Sequence, residues 1–324
     1  MEPPTLTPTQ ERLLHQLRRD PAPLVFSREF VDDLIARAQD GFEELSERLA
    51  GEKMFVSKGF ITKVLSCEVQ HLLPDDFQWT PAKAKGFVAH KAIELQTNWR
   101  GDPTPAVLVD EAIARLADQA SARSDFIAGL TDADHAELRG YAIERVTRFM
   151  QDFPPIPPSA HPVPEASTKW APTSCIDVSS KADLVIGKPD GRISTRLIID
   201  FKTGAKAHHH RLDLRFYALL ETIVRQVPPR KLVTYYLDYA EADVEPVTEA
   251  TLTSALDRVL SAVEREVELR IEGRTPVKRP GFTCRWCDVM PSCTEGRAHL
   301  ALIDDDGRQG FDDPVALPTV DALS

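Results

Sequence analysis

Seven prolines fall between residues 154 and 172, and they divide the chain into two textures. Proline lacks the backbone N–H that helices and sheets need. This stretch is therefore expected to be an extended connection over the surface, poor in regular structure. Before it, apolar residues recur at helical spacing. Ser27 is placed to cap a helix running toward Ala50, with Phe30, Leu34, Ile35, Phe42 and Leu45 on its apolar positions. A shorter helical stretch lies near Glu11–Arg18, and further helices are predicted over Gly59–Leu73, Pro81–Trp99, Pro105–Ala122 and Asp132–Phe153. After the prolines, strand formers dominate Ser174–Ile186 and Ile193–Phe201 around the turn sequence Lys188-Pro189-Asp190-Gly191, which predicts a β-hairpin. A helix over Arg211–Val224, a strand over Lys231–Asp238 and a long helix capped by Thr248 and reaching about Ile271 follow.

Composition narrows the class. With 324 residues, 42% hydrophobic and 27% charged, the chain is ordinary globular material and neither collagen-like nor wholly disordered. Acids outnumber bases 50 to 39, so a contact with nucleic acid would need a local basic groove. No apolar run is long enough to span a membrane. Met1-Glu2-Pro3-Pro4 does not open like a signal peptide. Five cysteines, an odd number, favour thiol or metal chemistry in a reducing cytosol over a disulfide framework, so a cytoplasmic location is expected. The expected organisation is an N-terminal helical region (1–58), a main domain (59–300) with a helical insertion at about 100–153, and an acidic, loose tail (301–324).

The hairpin carries the first chemical signal. Its second strand ends Asp200-Phe201-Lys202, and alternation puts Asp200 and Lys202 on one face. If the turn centres between Asp190 and Gly191, Asp183 of the first strand lies opposite Ile198 and diagonal to Asp200, at about 7–8 Å. Two convergent carboxylates with open positions suit Mg²⁺ or Mn²⁺, and a lysine beside them could orient water or offset phosphate charge. Taken alone, Asp-x-Lys is more often a solvated ion pair. Downstream, Lys206, His208, His209, His210, Arg211 and Arg215 form a basic stretch suited to tracking phosphates. Asp213 and Tyr217 share a helix face, with Tyr217 equally readable as core. A second cluster, Cys284, Cys287 and Cys293, offers three thiols to one metal centre. A tetrahedral zinc site or an iron–sulfur cluster would take its fourth ligand from Cys67 or Cys175.

Asp183, then Asp200-Phe201-Lys202, then a helix bearing Tyr217 resembles the PD-(D/E)XK nuclease superfamily, and more closely its RecB-like branch. The resemblance implies an α/β restriction-endonuclease-like core, a small mixed sheet flanked by helices, with a mainly helical N-terminal region and a cysteine-ligated C-terminal clasp. It implies His90, in Gly86-Phe87-Val88-Ala89-His90, as a further metal ligand beside Asp183 and Asp200. Iron–sulfur members of that branch, the AddB-type nuclease domains and CRISPR-adaptation exonucleases among them, place one cysteine before the core and three after it. That order implies a [4Fe-4S] cluster on Cys67, Cys284, Cys287 and Cys293, leaving Cys175 out.

The implied activity is Mg²⁺- or Mn²⁺-dependent cleavage of DNA, acting on single-stranded ends as an exonuclease in repair, recombination or phage- or CRISPR-related processing. Asp183, Asp200, Lys202 and Tyr217 would be catalytic, with Lys206, Arg211, Asp213 and Arg215 against substrate. Asp213 departs from the pattern, which has glutamine four residues before the tyrosine. An acid there repels phosphate unless it is neutralised. No phosphate loop of the Gly-x-x-x-x-Gly-Lys type is present, so a separate helicase or a repair or adaptation subunit is a candidate partner. Two alternatives stay open: a catalytically silent DNA-binding or scaffolding subunit, and a zinc-clasped hydrolase or regulator.

Overall fold

Hydroxyl caps fix most helix starts. In the computed structural model, which describes residues 5–74, 78–118 and 121–309, Ser27, Ser57, Thr80, Thr104, Thr131 and Thr248 each accept the backbone N–H three residues on. Each such cap is worth about 1 kcal/mol. The helices they open are α2 (Arg28–Arg48), α3 (Lys58–Leu65), α5 (Pro81–Asn98), α6 (Pro105–Ala117), α8 (Asp132–Asp152) and α10 (Glu249–Arg270), with α1 (Pro8–Leu17), α4 (Glu68–His71), α7 (Ala122–Ala128), α9 (His208–Arg225) and α11 (Thr294–Gln309) completing the set. Among the described residues no helix is long and apolar enough to cross a membrane.

The strands are β1 (Met54–Val56), β2 (Val163–Trp170), β3 (Ile176–Ile186), β4 (Leu197–Lys202), β5 (Lys231–Tyr236) and β6 (Glu241–Pro246). They form one mixed sheet ordered β1-β3-β4-β5-β6, with β2 also paired to β3. The β1–β3 and β4–β5 pairs are parallel and the rest antiparallel. Helix α9 makes the crossover that the parallel β4–β5 pair requires.

Each sheet face is covered by its own apolar core. On one side Ile198 and Leu232 pack with α2, α9 and α10 through Leu34, Phe42, Leu220 and Val263. On the other Ile199, Val233 and Tyr235 pack with α5, α6 and α8 through Ala89, Leu108 and Phe149. Burying one such leucine or phenylalanine stabilises the fold by about 1.5–3 kcal/mol. The result is a mixed α/β architecture of a sheet between helical layers, consistent with a restriction-endonuclease-like fold.

Several expectations are corrected. The proline stretch is not wholly irregular, because β2 lies inside it and pairs with β3 from Val163↔Val185 to Trp170↔Val178. Pro164 is tolerated because it is near the start of a strand that pairs with β3 alone. The hairpin is wider than predicted. Only Leu184↔Ile199, Val185↔Ile198 and Ile186↔Leu197 pair, so the register is displaced by two residues from the expected one. Gly187 opens the loop at φ +109°, where a Cβ would come within 2.8 Å of the Thr195 carbonyl oxygen. A displacement of two keeps every side chain on its predicted face.

The helix expected over Gly59–Leu73 breaks at Ser66-Cys67 into α3 and α4. The helix expected over Arg211–Val224 starts earlier, at His208, as α9. The tail expected to be loose from residue 301 is helical as far as Gln309, and the remainder lies outside the described residues.

Candidate active site

Strand alternation places Asp183, Asp200 and Lys202 together. Extending the β3–β4 register by one residue puts Asp183 directly across from Asp200, closer than the predicted diagonal. The Phe201 N–H donates to Asp183 Oδ2 at 2.6 Å. Asp200 is 1% exposed, and its Oδ2 lies 2.5 Å from Lys202 Nζ. That approach is not a well-directed hydrogen bond, and the buried Oδ2 has no hydrogen-bond partner.

His90 comes from α5. Its Nδ1 stands 3.4 Å from Asp183 Oδ1. Burial alone would push the imidazole down, but the Asp183 carboxylate reverses this and raises it above the usual histidine range. Burial likewise pushes Asp183 up, and His90 more than offsets it, so Asp183 ends below the usual range. The pair therefore favours charge on both partners.

Sequence reasoning missed Lys58. This first residue of α3 brings Nζ 3.8 Å from Asp200 Oδ1 and 4.0 Å from Asp213 Oδ2, and 5.4 Å from the centre of the Tyr217 ring. Burial opposes its charge, but Asp200 and Asp213 raise it above the ordinary lysine range. Nothing in the sequence ties Lys58 to the site, since it belongs to none of the motifs that mark the carboxylates. Tyr217 is 2% exposed and a member of the core. Burial, then Asp200, pushes its hydroxyl well above the usual tyrosine range, so it stays neutral. The lysine its ring faces is Lys58.

The basic stretch is differently employed from what was expected. Lys206 pairs with Glu241, both Arg211 Nη2 contacts to Asp243 are 2.8 Å, and Arg215 Nε lies 3.0 and 3.1 Å from Glu245. Those three acids alternate along β6 and neutralise the row of cations. His210 is pushed down to about 4 by burial, and further by Lys202, His209 and Lys58, so it is uncharged at neutral pH. The cations that face the carboxylates are Lys58 and Lys202.

The cysteines predicted to act together line one small pocket: Cys67, Cys284, Cys287 and Cys293. All are free thiols, with Cys67 and Cys284 buried. Backbone N–H groups point at two of the sulfurs, Gly281 to Cys284 at 3.4 Å and Gly296 to Cys293 at 3.3 Å. A Cβ on Gly296 would come 3.4 Å from Cys293 Sγ and 3.6 Å from Cys284 Sγ, so the missing side chain keeps the pocket open. Cys175 stands apart, 2.9 Å from Ser46 Oγ.

A polar clasp holds this pocket closed. Glu68, 0% exposed, accepts from Arg274 at 3.0 and 3.1 Å, from Arg279 at 3.2 Å and from the Val277 N–H at 2.7 Å. His71 adds a 2.5 Å contact to Glu266. Among the described residues, no group of three or more His, Cys, Asp or Glu side chains is arranged to hold a metal ion as it stands.

Fold, paired strand carboxylates and adjacent lysine together define a class, and the family comparison agrees. Residues 60–294 match the PD-(D/E)XK nuclease superfamily. The match covers well over half of the chain, which belongs to that superfamily. Two solved structures are similar. SSO0001 is 16% identical, with 82% of this chain and 96% of that one covered and a TM-score of 0.32. A protein of Eubacterium rectale bearing a provisional exonuclease designation is 13% identical, with 68% and 92% covered and a TM-score of 0.33. No curated protein matches the sequence.

Proposed function

We propose that this chain is a divalent-metal-dependent deoxyribonuclease that hydrolyses phosphodiester bonds as an exonuclease at single-stranded ends. The observation that carries this reading is Asp200. Its buried carboxylate lies across from Asp183 when the β3–β4 register is extended by one residue, and its Oδ2, 2.5 Å from Lys202 Nζ, has no well-directed hydrogen bond. The donor set fits a hard cation: two carboxylates, an imidazole and the nearby Phe201 carbonyl suit Mg²⁺ or Mn²⁺. Bound there, the ion would supply Lewis-acid polarisation of the scissile phosphate. Lys202 would position the attacking water or stabilise negative charge as it develops on phosphate oxygens. His90 must shed its proton to act as a ligand, so binding of the ion would compete with protons at this position.

The four-cysteine pocket supports a [4Fe-4S] cluster as a structural clasp, on Cys67, Cys284, Cys287 and Cys293. Four free thiols, N–H donors aimed at two sulfurs and a glycine keeping the space clear suit thiolate ligation. The cluster would join α4, before the nuclease core, to the segment following α10.

The exonuclease reading is tested with 5′- and 3′-labelled linear single-stranded DNA beside a circular single strand of similar length, using anaerobically purified protein with Mg²⁺ or Mn²⁺. Stepwise shortening of the linear strands, with the circle intact, is expected. Cleavage of the circle at a comparable rate would make the enzyme an endonuclease. No cleavage of any substrate would favour the scaffolding alternative.

A further inference from the structure

Asp200 has a lysine on each side: Lys202 Nζ at 2.5 Å from Oδ2 and Lys58 Nζ at 3.8 Å from Oδ1. The two lysines differ in setting. Lys202 stands at the end of β4 with a side chain 17% exposed, whereas the Lys58 side chain is 40% exposed. Lys58 therefore stands at the rim of the site, open to an approaching strand.

Its two carboxylate contacts, 3.8 and 4.0 Å, are longer than the 2.7–3.2 Å of a formed N–H···O hydrogen bond. The ammonium is attracted by both acids and locked to neither, so its donors remain available to a third acceptor. Its base is firmly held. Ser57 caps α3 through the Phe60 N–H, and the preceding strand β1 pairs with β3. The helix thus delivers the lysine to a fixed place.

Asp213 needs a partner there. It sits on α9, its side chain 11% exposed, with its Oδ2 4.0 Å from Lys58 Nζ and within electrostatic reach of Asp200. Uncompensated, it would repel phosphates. Lys58, at 4.0 Å, offsets that charge together with the more distant Lys202 and Arg258 and also offers an ammonium to the strand, while the row Lys206, Arg211 and Arg215 is already neutralised by β6.

We propose that Lys58 is a substrate-positioning residue, held at the rim of the carboxylate site by Asp213, whose ammonium binds a phosphate of the DNA strand next to the cleavage point. The inference rests on the nuclease reading and adds to it a phosphate contact lying outside the Asp-x-Lys motif.

The test is binding of a fluorescein-labelled single-stranded oligodeoxynucleotide, followed by anisotropy in EDTA so that no cleavage intervenes. Kd is measured across a salt series for the wild type, Lys58→Met, Lys58→Arg, Asp213→Asn and the Lys58→Met/Asp213→Asn double variant. Lys58→Met is expected to weaken binding about tenfold and to reduce the slope of log affinity against log salt by about 0.7, the share of one phosphate contact on a single strand. Lys58→Arg should keep the wild-type slope. Asp213→Asn should recover at least about threefold of the affinity lost in the Lys58→Met background, because it removes the uncompensated carboxylate.

Lys58→Gln serves as the second neutral variant if the methionine variant does not fold. A wild-type slope in the neutral variants would overturn the phosphate contact. Absence of recovery in the double variant would overturn the role given to Asp213. Cleavage by the wild type in Mg²⁺ is measured in parallel. If the wild type cleaves and the neutral variants bind normally, only this inference falls. If the wild type neither binds nor cleaves DNA, the nuclease reading falls with it.

Discussion

Asparagine in place of Asp200 is expected to lower the rate of DNA cleavage by roughly a thousandfold while sparing DNA binding. Asparagine has nearly the same shape, so the packing of β4 between its two apolar layers is kept. What goes is the negative charge facing Asp183 across the sheet and with it the preference for a divalent cation. Binding should hold or tighten, because two lysines lose the carboxylate they share and repulsion of phosphate falls. Single-turnover cleavage beside anisotropy on the same oligonucleotide separates the two effects. A variant that cleaves within tenfold of the wild type would remove Asp200 from the active site.

Serine in place of Cys287 should have the largest effect on stability. A clasp on the four thiols would tie residue 67 to residues 284–293, closing a loop of more than about 200 residues. Chain entropy assigns a link of that span about 5–5.5 kcal/mol. The Glu68 contacts to Arg274 and Arg279 remain in the variant and retain part of the attachment. The expected net loss is about 2–4 kcal/mol, or roughly 5–10 °C in Tm for a domain of this size. Anaerobically purified wild type should be brown and the variant bleached. A colourless wild type that contains zinc would replace the cluster with a tetrahedral zinc site. A variant that keeps both colour and stability would exclude Cys287 as a ligand.

The parts of the site that sit on one strand or one helix were legible in the sequence. Alternation puts Asp200 and Lys202 on one face whatever the partner strand does, and the two-residue error in register left Asp183 on that face as well. Cys67, Cys284, Cys287 and Cys293 share a pocket as their order implied, and Cys175 does not join them.

Lys58 and the β6 acids, which no motif marks, were not legible. Lys58 reaches Asp200 from a helix far upstream, and no local pattern marks it. Strand β6 was not anticipated, because Glu241, Asp243 and Glu245 are poor strand formers. They form a strand where β5 supplies the ladder and Lys206, Arg211 and Arg215 supply the opposite charge. The same pairing neutralises the most visible basic stretch of the sequence. Strand β2 was hidden by its prolines, which lie in or near its first residues and leave Ala166–Trp170 free to pair.

The most direct test of the account is cleavage of an end-labelled single-stranded oligodeoxynucleotide by wild-type protein stripped with EDTA and then resupplied with Mg²⁺ or Mn²⁺. The account predicts no cleavage by the stripped protein and full recovery when either cation is added in excess. Cleavage that continues undiminished in EDTA, or that neither cation restores to a protein still folded and binding DNA, would contradict it.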